Sequence, residues 1–288
     1  MSTYKIFVDS ASDITAEQME KYNIGLIPIK VIFDDTPYDA LKDISTETFY
    51  DMLAKSSEPP KTSQPSFDLM KDTFEKALKE YDDVIFFAMS SAASGTYSTA
   101  NLVRDMIDEE GGDVSRLHLF DTLNFSGFIS VTAMYTADLL QKGTDVDTAL
   151  NMARTYLESW DVFFLVDTLE YLEKGGRINK ASFIIGSLLD IKPVLTIRNG
   201  LVENIDKIRG TKKLYEKYVS LVEKSPNYER DNSDFMLFDA DAGEIKQTVK
   251  ALLKERLGVE KYLVDSSLGP VIGTHTGPGT IAVFVRKK

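Results

Sequence analysis

The sequence predicts an α/β protein of two domains, with a mostly parallel sheet flanked by helices in its first half. Three observations carry that expectation. Short apolar runs alternate with segments of helical spacing, the pattern of successive β–α units. One run, Val84-Ile85-Phe86-Phe87-Ala88-Met89, is apolar without a break, as a parallel strand covered on both faces should be. A chain of 288 residues is also long for one core, and a boundary near residues 158–162 divides it into 1–160 and 161–288.

In chain order, Tyr4 to Val8 reads as a strand ending in Asp9-Ser10-Ala11-Ser12-Asp13, after which Ile14-Thr15-Ala16-Glu17-Gln18 opens a capped helix. Ile24 to Phe33 is a second strand, with Pro28 favouring an edge or a bulge. Helical spacing returns at Phe49, Met52 and Leu53 and stops before Pro59-Pro60. A further helix covers Phe67 to Tyr81, and the strand at Val84 leads into a helix that reaches about Asp108. Leu117 to Phe120 is a strand, and helices follow over 126–141 and 146–159.

The second half opens on the strand Val162 to Val166 and a short helix from Thr168 to Lys174, ended by Gly175-Gly176. Lys180 to Asp190 is rich in Phe, Ile and Leu, suited to a core or to lining a lipid channel. Asn199-Gly200 marks a hairpin between two strands, and Thr211 opens a helix to about Lys224. Ser225 to Ser233 reads as a polar loop. Strands at 235–238, 262–264 and 280–286 surround a helix over 243–257.

Composition removes several classes of function. A net charge of −12 argues against nucleic acid or an anionic membrane as the main partner. Without cysteine there is no disulfide, thiolate chemistry or Cys-ligated zinc. The N-terminus enters a strand with no signal peptide, and no apolar run approaches the roughly 20 residues that span a bilayer. A soluble cytoplasmic chain without stable membrane insertion is expected. Neither a Walker-type nor a strand-coupled G-x-G-x-x-G motif supports nucleotide binding, and the sequence calls for no cofactor.

What remains is a set of hydrogen-bond donors. The run Gly269-Pro270-Val271-Ile272-Gly273-Thr274-His275-Thr276-Gly277-Pro278-Gly279 reads as a stiff loop that presents His275 between Thr274 and Thr276. Thr62, Ser63 and Ser66 crowd ahead of a helix, more hydroxyls than one N-cap uses. Ser94 and Gly95 stand where a strand turns into a helix N-terminus, a ready place for a carboxylate or phosphate. A serine there also invites a nucleophile reading, but the flanking residues are Ala92 and Thr96 rather than the glycines of an elbow. Arg177, Lys192, Lys207, Arg209, Lys212 and Lys213 give the second half a local basic bias, suited to a phosphate, an acidic partner or plain solvent.

Together these stretches resemble the DegV family of bacterial fatty-acid-binding proteins. The resemblance rests on Asp9-Ser10-Ala11-Ser12-Asp13, Thr62-Ser63-Gln64-Pro65-Ser66, Ser94-Gly95-Thr96-Tyr97, Gly175-Gly176-Arg177-Ile178, Lys192-Pro193, Lys207-Ile208-Arg209-Gly210 and 273–279, in this order along the whole chain. It implies a DegV-like fold, an N-terminal mostly parallel sheet with helices plus a C-terminal α/β sandwich domain. It also implies a long-chain fatty acid as ligand and a non-catalytic role as the binding subunit of a fatty acid kinase. On that analogy Thr62, Ser94 and His275 bind the carboxylate, with Ser63, the Gly95 amide and Thr274 nearby. Arg177 and Arg209 meet the catalytic subunit or the acyl-phosphate. Phe125 and Phe128 are bulky where small residues are expected of relatives, which bears on chain-length preference.

Two other functions stay open at this point. One is a serine-dependent acyl hydrolase or acyltransferase with Ser94 as nucleophile, His275 as base and Asp9 or Asp121 as orienter. The other is a sensor of a small phosphorylated metabolite.

Overall fold

The computed structural model describes residues 3–178, 191–210, 213–224 and 235–287. The expectations for Lys180–Asp190, Thr211, Lys212 and Ser225–Ser233 lie outside the described residues. The chain divides into two compact units, one of residues 1–45 and 60–157, the other of 46–59 and 158–288.

In unit one, β1 (Tyr4–Asp9), β2 (Ile24–Ile27), β6 (Asp83–Ala88) and β7 (Leu117–Asp121) form an all-parallel sheet of order β2-β1-β6-β7. The unbroken apolar character of β6 has its reason here, because Val84 to Ala88 are all buried. Phe7, Phe74 and Phe86 pack with α3 (Phe67–Glu80) and α4 (Thr96–Glu109) on one face. α5 (Gly127–Gln141) is buried along most of its length, and Phe125 and Phe128 are core residues. Pro28 ends β2, and the chain resumes as β3 (Lys30–Phe33) in a separate antiparallel sheet with β4 (Thr36–Asp39) and β5 (Lys61–Ser63). The hydroxyls of Thr62 and Ser63 therefore ride on a short strand rather than on a loop.

In unit two, a six-stranded sheet runs β10-β9-β8-β13-β11-β12, mostly antiparallel. Its strands are β8 (Trp160–Leu165), β9 (Ile191–Arg198), β10 (Leu201–Arg209), β11 (Phe235–Asp239), β12 (Val264–Ser267) and β13 (Ile281–Arg286). The Asn199-Gly200 turn joins β9 to β10, both residues at positive φ as a tight hairpin demands. Helices α8 (Leu214–Glu223) and α9 (Gly243–Leu257) cover the core around Tyr218, whose hydroxyl donates to Phe163 O at 2.6 Å and accepts from Val283 N at 3.1 Å. Helix α2 (Thr46–Lys55) groups with this unit, whereas a division near residue 160 leaves it in the first domain. Its buried face explains the assignment: the Tyr50 hydroxyl donates to Leu268 O at 2.9 Å.

One expectation is corrected. The glycine- and proline-rich run is not a loop throughout, since Pro270–Thr276 forms a helix, α10. Proline is at home in the first turn, where its missing N–H would be unbonded anyway. Gly273 stays in the helix because a Cβ there would lie 2.7 Å from Phe49 and from the Tyr50 hydroxyl.

Candidate functional site

The strand order of unit one creates a topological switch point. From β1 the chain moves to β2 on one side, while β6 lies on the other, so the loops after β1 and β6 diverge at their carboxyl ends. Open α/β sheets bind ligands at such a crevice. Asp9-Ser10-Ala11-Ser12-Asp13 and Ser90 to Gly95 occupy those two loops. They are fastened together by the buried Asp9 carboxylate, which accepts from Ala11 N at 2.9 Å and Met89 N at 2.6 Å. Burial pushes that carboxyl up to about 7, against the downward pull of the two amides.

The Ser90–Ser94 turn is closed by Ser94 N donating to Ser90 O at 3.0 Å. Ser94 Oγ lies 2.9 Å from Thr96 Oγ1 and accepts from Thr96 N at 3.3 Å. Gly95 has no side chain to cap α4, so beyond the Thr96 amide that Ser94 Oγ takes, the first turn of this 14-residue helix keeps its positive end for another acceptor. A Cβ at Gly95 would overlap Gln64 Oε1, which brings the Thr62-Ser63-Gln64 segment against Ser94-Gly95. Three of the segments singled out in the sequence thus converge in unit one.

His275 belongs to unit two, on α10. A Cβ at Gly175 would overlap the Nδ1 edge of its imidazole, so the end of α7 (Glu170–Gly175) packs directly against the ring. Arg177 Nη1 donates to Gly175 O at 2.6 Å. Burial, and then the Arg177 charge, hold the imidazole down at about 4, so it is neutral at pH 7 and donates one N–H. The Thr274 hydroxyl donates to Pro270 O at 2.8 Å and that of Thr276 to Ile272 O at 3.1 Å. The protons of both flanking threonines are committed to their own helix. Thr274 is itself buried.

Arg177 and Arg209 do not come together. Ile178, next to Arg177, bridges Val202 at the start of β10, whereas Arg209 ends that strand. Seven residues of strand separate those points by roughly 23 Å. Lys192 is committed to Asp167, through its carbonyl oxygen at 2.7 Å and its carboxylate.

The geometry also bears on the nucleophile reading. Ser94 lacks the positive φ of a strained elbow. Asp121 Oδ1 accepts from Ser91 N at 3.2 Å and Leu123 N at 3.0 Å, and Asp9 is spent on two amides, so both proposed orienters serve loop backbone. The second histidine, His118, bonds Asp83 at 2.9 Å, at the opposite end of β6 from Ser94. A feature not singled out in the sequence is Ser126, at φ 56° and ψ −135° between β7 and α5. Its amide donates to Ala11 O at 2.7 Å and its hydroxyl to the Asp13 carboxylate. The pairing of Ser126 with the β1 loop had no local signal.

The sequence profile described as "Uncharacterised protein, DegV family" matches residues 3–288. The chain belongs to the DegV family. Among its DegV relatives is a DegV domain-containing protein of Clostridium perfringens, 32% identical over 97% of this chain and 97% of its own. A Thermotoga maritima protein named "Fatty acid-binding protein" is 33% identical, covering 96% of this chain and 95% of its own. The crystal structure of DegV from Bacillus subtilis, titled a fatty acid binding protein, superposes with a TM-score of 0.85 at 28% identity and covers all of both chains. This chain and the Bacillus subtilis structure share the DegV fold, a parallel sheet flanked by helices with a second sheet unit.

Proposed function

We propose that this DegV protein is a non-catalytic fatty acid carrier. It takes up a long-chain fatty acid in an apolar tunnel and offers the carboxylate to a separate fatty acid kinase catalytic subunit, which uses ATP to form the acyl-phosphate. The observation that carries the reading is the end-to-end relation to proteins named for fatty acid binding, in Thermotoga maritima and Bacillus subtilis. Local chemistry agrees with it. The donors assigned to the head group are Thr62, Ser63, Ser94, the Gly95 amide and His275, with Thr274 next to the histidine in the chain. All are neutral at pH 7, and neutral donors orient a carboxylate without attacking it. Affinity then comes from the chain, at about 0.8 kcal/mol per buried methylene. Arg177 and Arg209 are assigned to the catalytic subunit or the new phosphate. The role places the protein in the cytoplasm, beside ATP.

Native mass spectrometry of the purified protein tests the first half of this. A mass increment that extraction identifies as a long-chain fatty acid is expected. An empty protein that added palmitate and oleate neither load nor stabilise would end the reading. The second half is tested by adding a fatty acid kinase catalytic subunit and ATP, and trapping acyl-phosphate with hydroxylamine. Hydroxamate should form only with the loaded carrier present, and its formation by the kinase subunit on free fatty acid would contradict a presenting role.

A further inference from the structure

Strand β10 and helix α8 of unit two form the walls of a groove of about 550 Å³. Lys207 and Arg209 stand two residues apart on β10 and so share a face. Lys217 and the C-cap residue Lys224, seven apart, lie along one side of α8, and Lys213 stands at its N-cap. The cationic row on the helix runs roughly 16 Å at 1.5 Å per residue.

Two charges in the groove are answered locally. Arg256 bonds Glu216 O at 2.8 Å and Glu223 Oε2 at 2.6 Å, and Lys213 lies 3.6 Å from Glu216. Among the described residues, the side chains of Lys207, Arg209, Lys217 and Lys224 make no hydrogen bond or ion pair. All four are exposed. Six cations against the two carboxylates of Asp206 and Glu216 line this groove, four of the cations without an ion pair, which is out of keeping with a chain of net charge −12.

We infer that this groove docks an acidic polypeptide segment of a partner protein. The class of ligand follows from what the lining offers and what it lacks. A single phosphate calls for converging, partly desolvated donors, whereas these cations are exposed and spread along the walls. Lys217 and Lys224 are about 10 Å apart, beyond the Debye length of roughly 8 Å at physiological salt, so each acts nearly alone and a multivalent ligand is required. A bilayer would call for apolar side chains to insert, yet none of Leu102, Met106, Leu123, Met152 and Leu263, the exposed large hydrophobics, lines the groove. Nucleic acid would use aromatic rings for stacking, and no aromatic residue lines it. An extended peptide rises about 3.3 Å per residue, so about five residues span the row. Carboxylates at alternate positions would face the cations.

The inference shares Arg209 with the proposed contact to the catalytic subunit but does not depend on fatty acid binding, and its test uses the whole protein with or without ligand. A fluorescein-labelled eight-residue peptide of alternating Glu and Ser is titrated at about 25 and 150 mM salt. The comparison probes are the matching Gln-Ser peptide, inorganic tripolyphosphate and phosphatidylglycerol vesicles. Saturable binding of the acidic peptide alone, weakened by salt, is expected. The double variant Lys217→Glu with Lys224→Glu, at exposed positions outside the head-group donors, should weaken it at least about tenfold. Lys217→Gln with Lys224→Gln, which only removes charge, should fall between, and thermal unfolding confirms that both variants fold. No binding of the acidic peptide, binding indifferent to both variants, or stronger capture by vesicles or tripolyphosphate would overturn the assignment.

Discussion

Gly95 and Gly175 each leave room for a neighbouring polar side chain, but the two neighbours differ in what they can give. Beside Gly95 stands the end of Gln64, an exposed, flexible side chain that can swing aside. Gly95→Ala should therefore change stability by less than about 1 kcal/mol. The methyl group would nonetheless occupy the space over the α4 amides, so fatty acid retention in native mass spectra should drop sharply. Retention equal to wild type would remove Gly95 from the head-group set. Beside Gly175 stands an imidazole ring packed between two helices, with no such freedom. Alanine normally gains up to about 1 kcal/mol over glycine in a helix. Here overpacking should outweigh that gain and cost a net of about 1–3 kcal/mol in urea unfolding. A stabilised Gly175→Ala protein would contradict the close packing against His275. The candidate donors themselves were legible because hydroxyls and glycines stand out at the end of an apolar strand. The contacts of Gln64 with Gly95 and of Gly175 with His275 were not, because each joins segments distant in the chain.

At the level of elements, sequence pattern located most strands and helices, and its errors have physical causes. The run 269–279 holds enough glycine and proline to suggest a loop, yet each breaker sits where a helix tolerates it. Pro270 is in the first turn, Gly273 faces α2, and Gly277 and Gly279 take positive φ beyond the last turn. Strands β4 and β5 escaped because they are short and polar, and pairing with β3 rather than an apolar pattern makes them strands. The turn from β7 to α5 hides a strained residue, since φ 56° and ψ −135° at Ser126 cost an L-residue about 1–3 kcal/mol. Its tie to Asp13 holds it there. Ser126→Ala keeps the strain and loses the hydrogen bond, whereas Ser126→Gly loses the bond and relieves the strain. The glycine variant should be the more stable of the two by about 1 kcal/mol in urea unfolding, the reverse of the usual order. An alanine variant as stable as the glycine one would mean that the backbone there is not strained.

For the molecule as a whole, alternating strand and helix signals implied two α/β bodies, but nothing marked residues 46–59 as part of the second. That segment leaves and returns without a linker-like composition, and only Pro59-Pro60 punctuates its end. The two units also carry buried ionisable groups of opposite effect. Asp9, in unit one, has its carboxyl raised to about 7, so the folded state binds its proton more tightly than the unfolded chain does. Its contribution to stability grows as pH falls from about 7 towards 4. His275, in unit two, is lowered to about 4, so the unfolded chain binds the proton first. Its contribution is full above pH 6.5 and is lost as pH falls towards 4. Each slope is about 1.4 kcal/mol per pH unit inside its window, and between pH 4 and 6.5 the two oppose each other. Other carboxylates add to the wild-type profile, so the comparison is between variants, by urea unfolding from pH 4.5 to 7. Relative to wild type, Asp9→Asn should lose stability progressively as pH falls. His275→Gln should gain it over the same range. Parallel profiles for wild type and both variants would mean that neither group is held in its neutral form by the fold, and would take away the basis for a neutral His275 as a head-group donor.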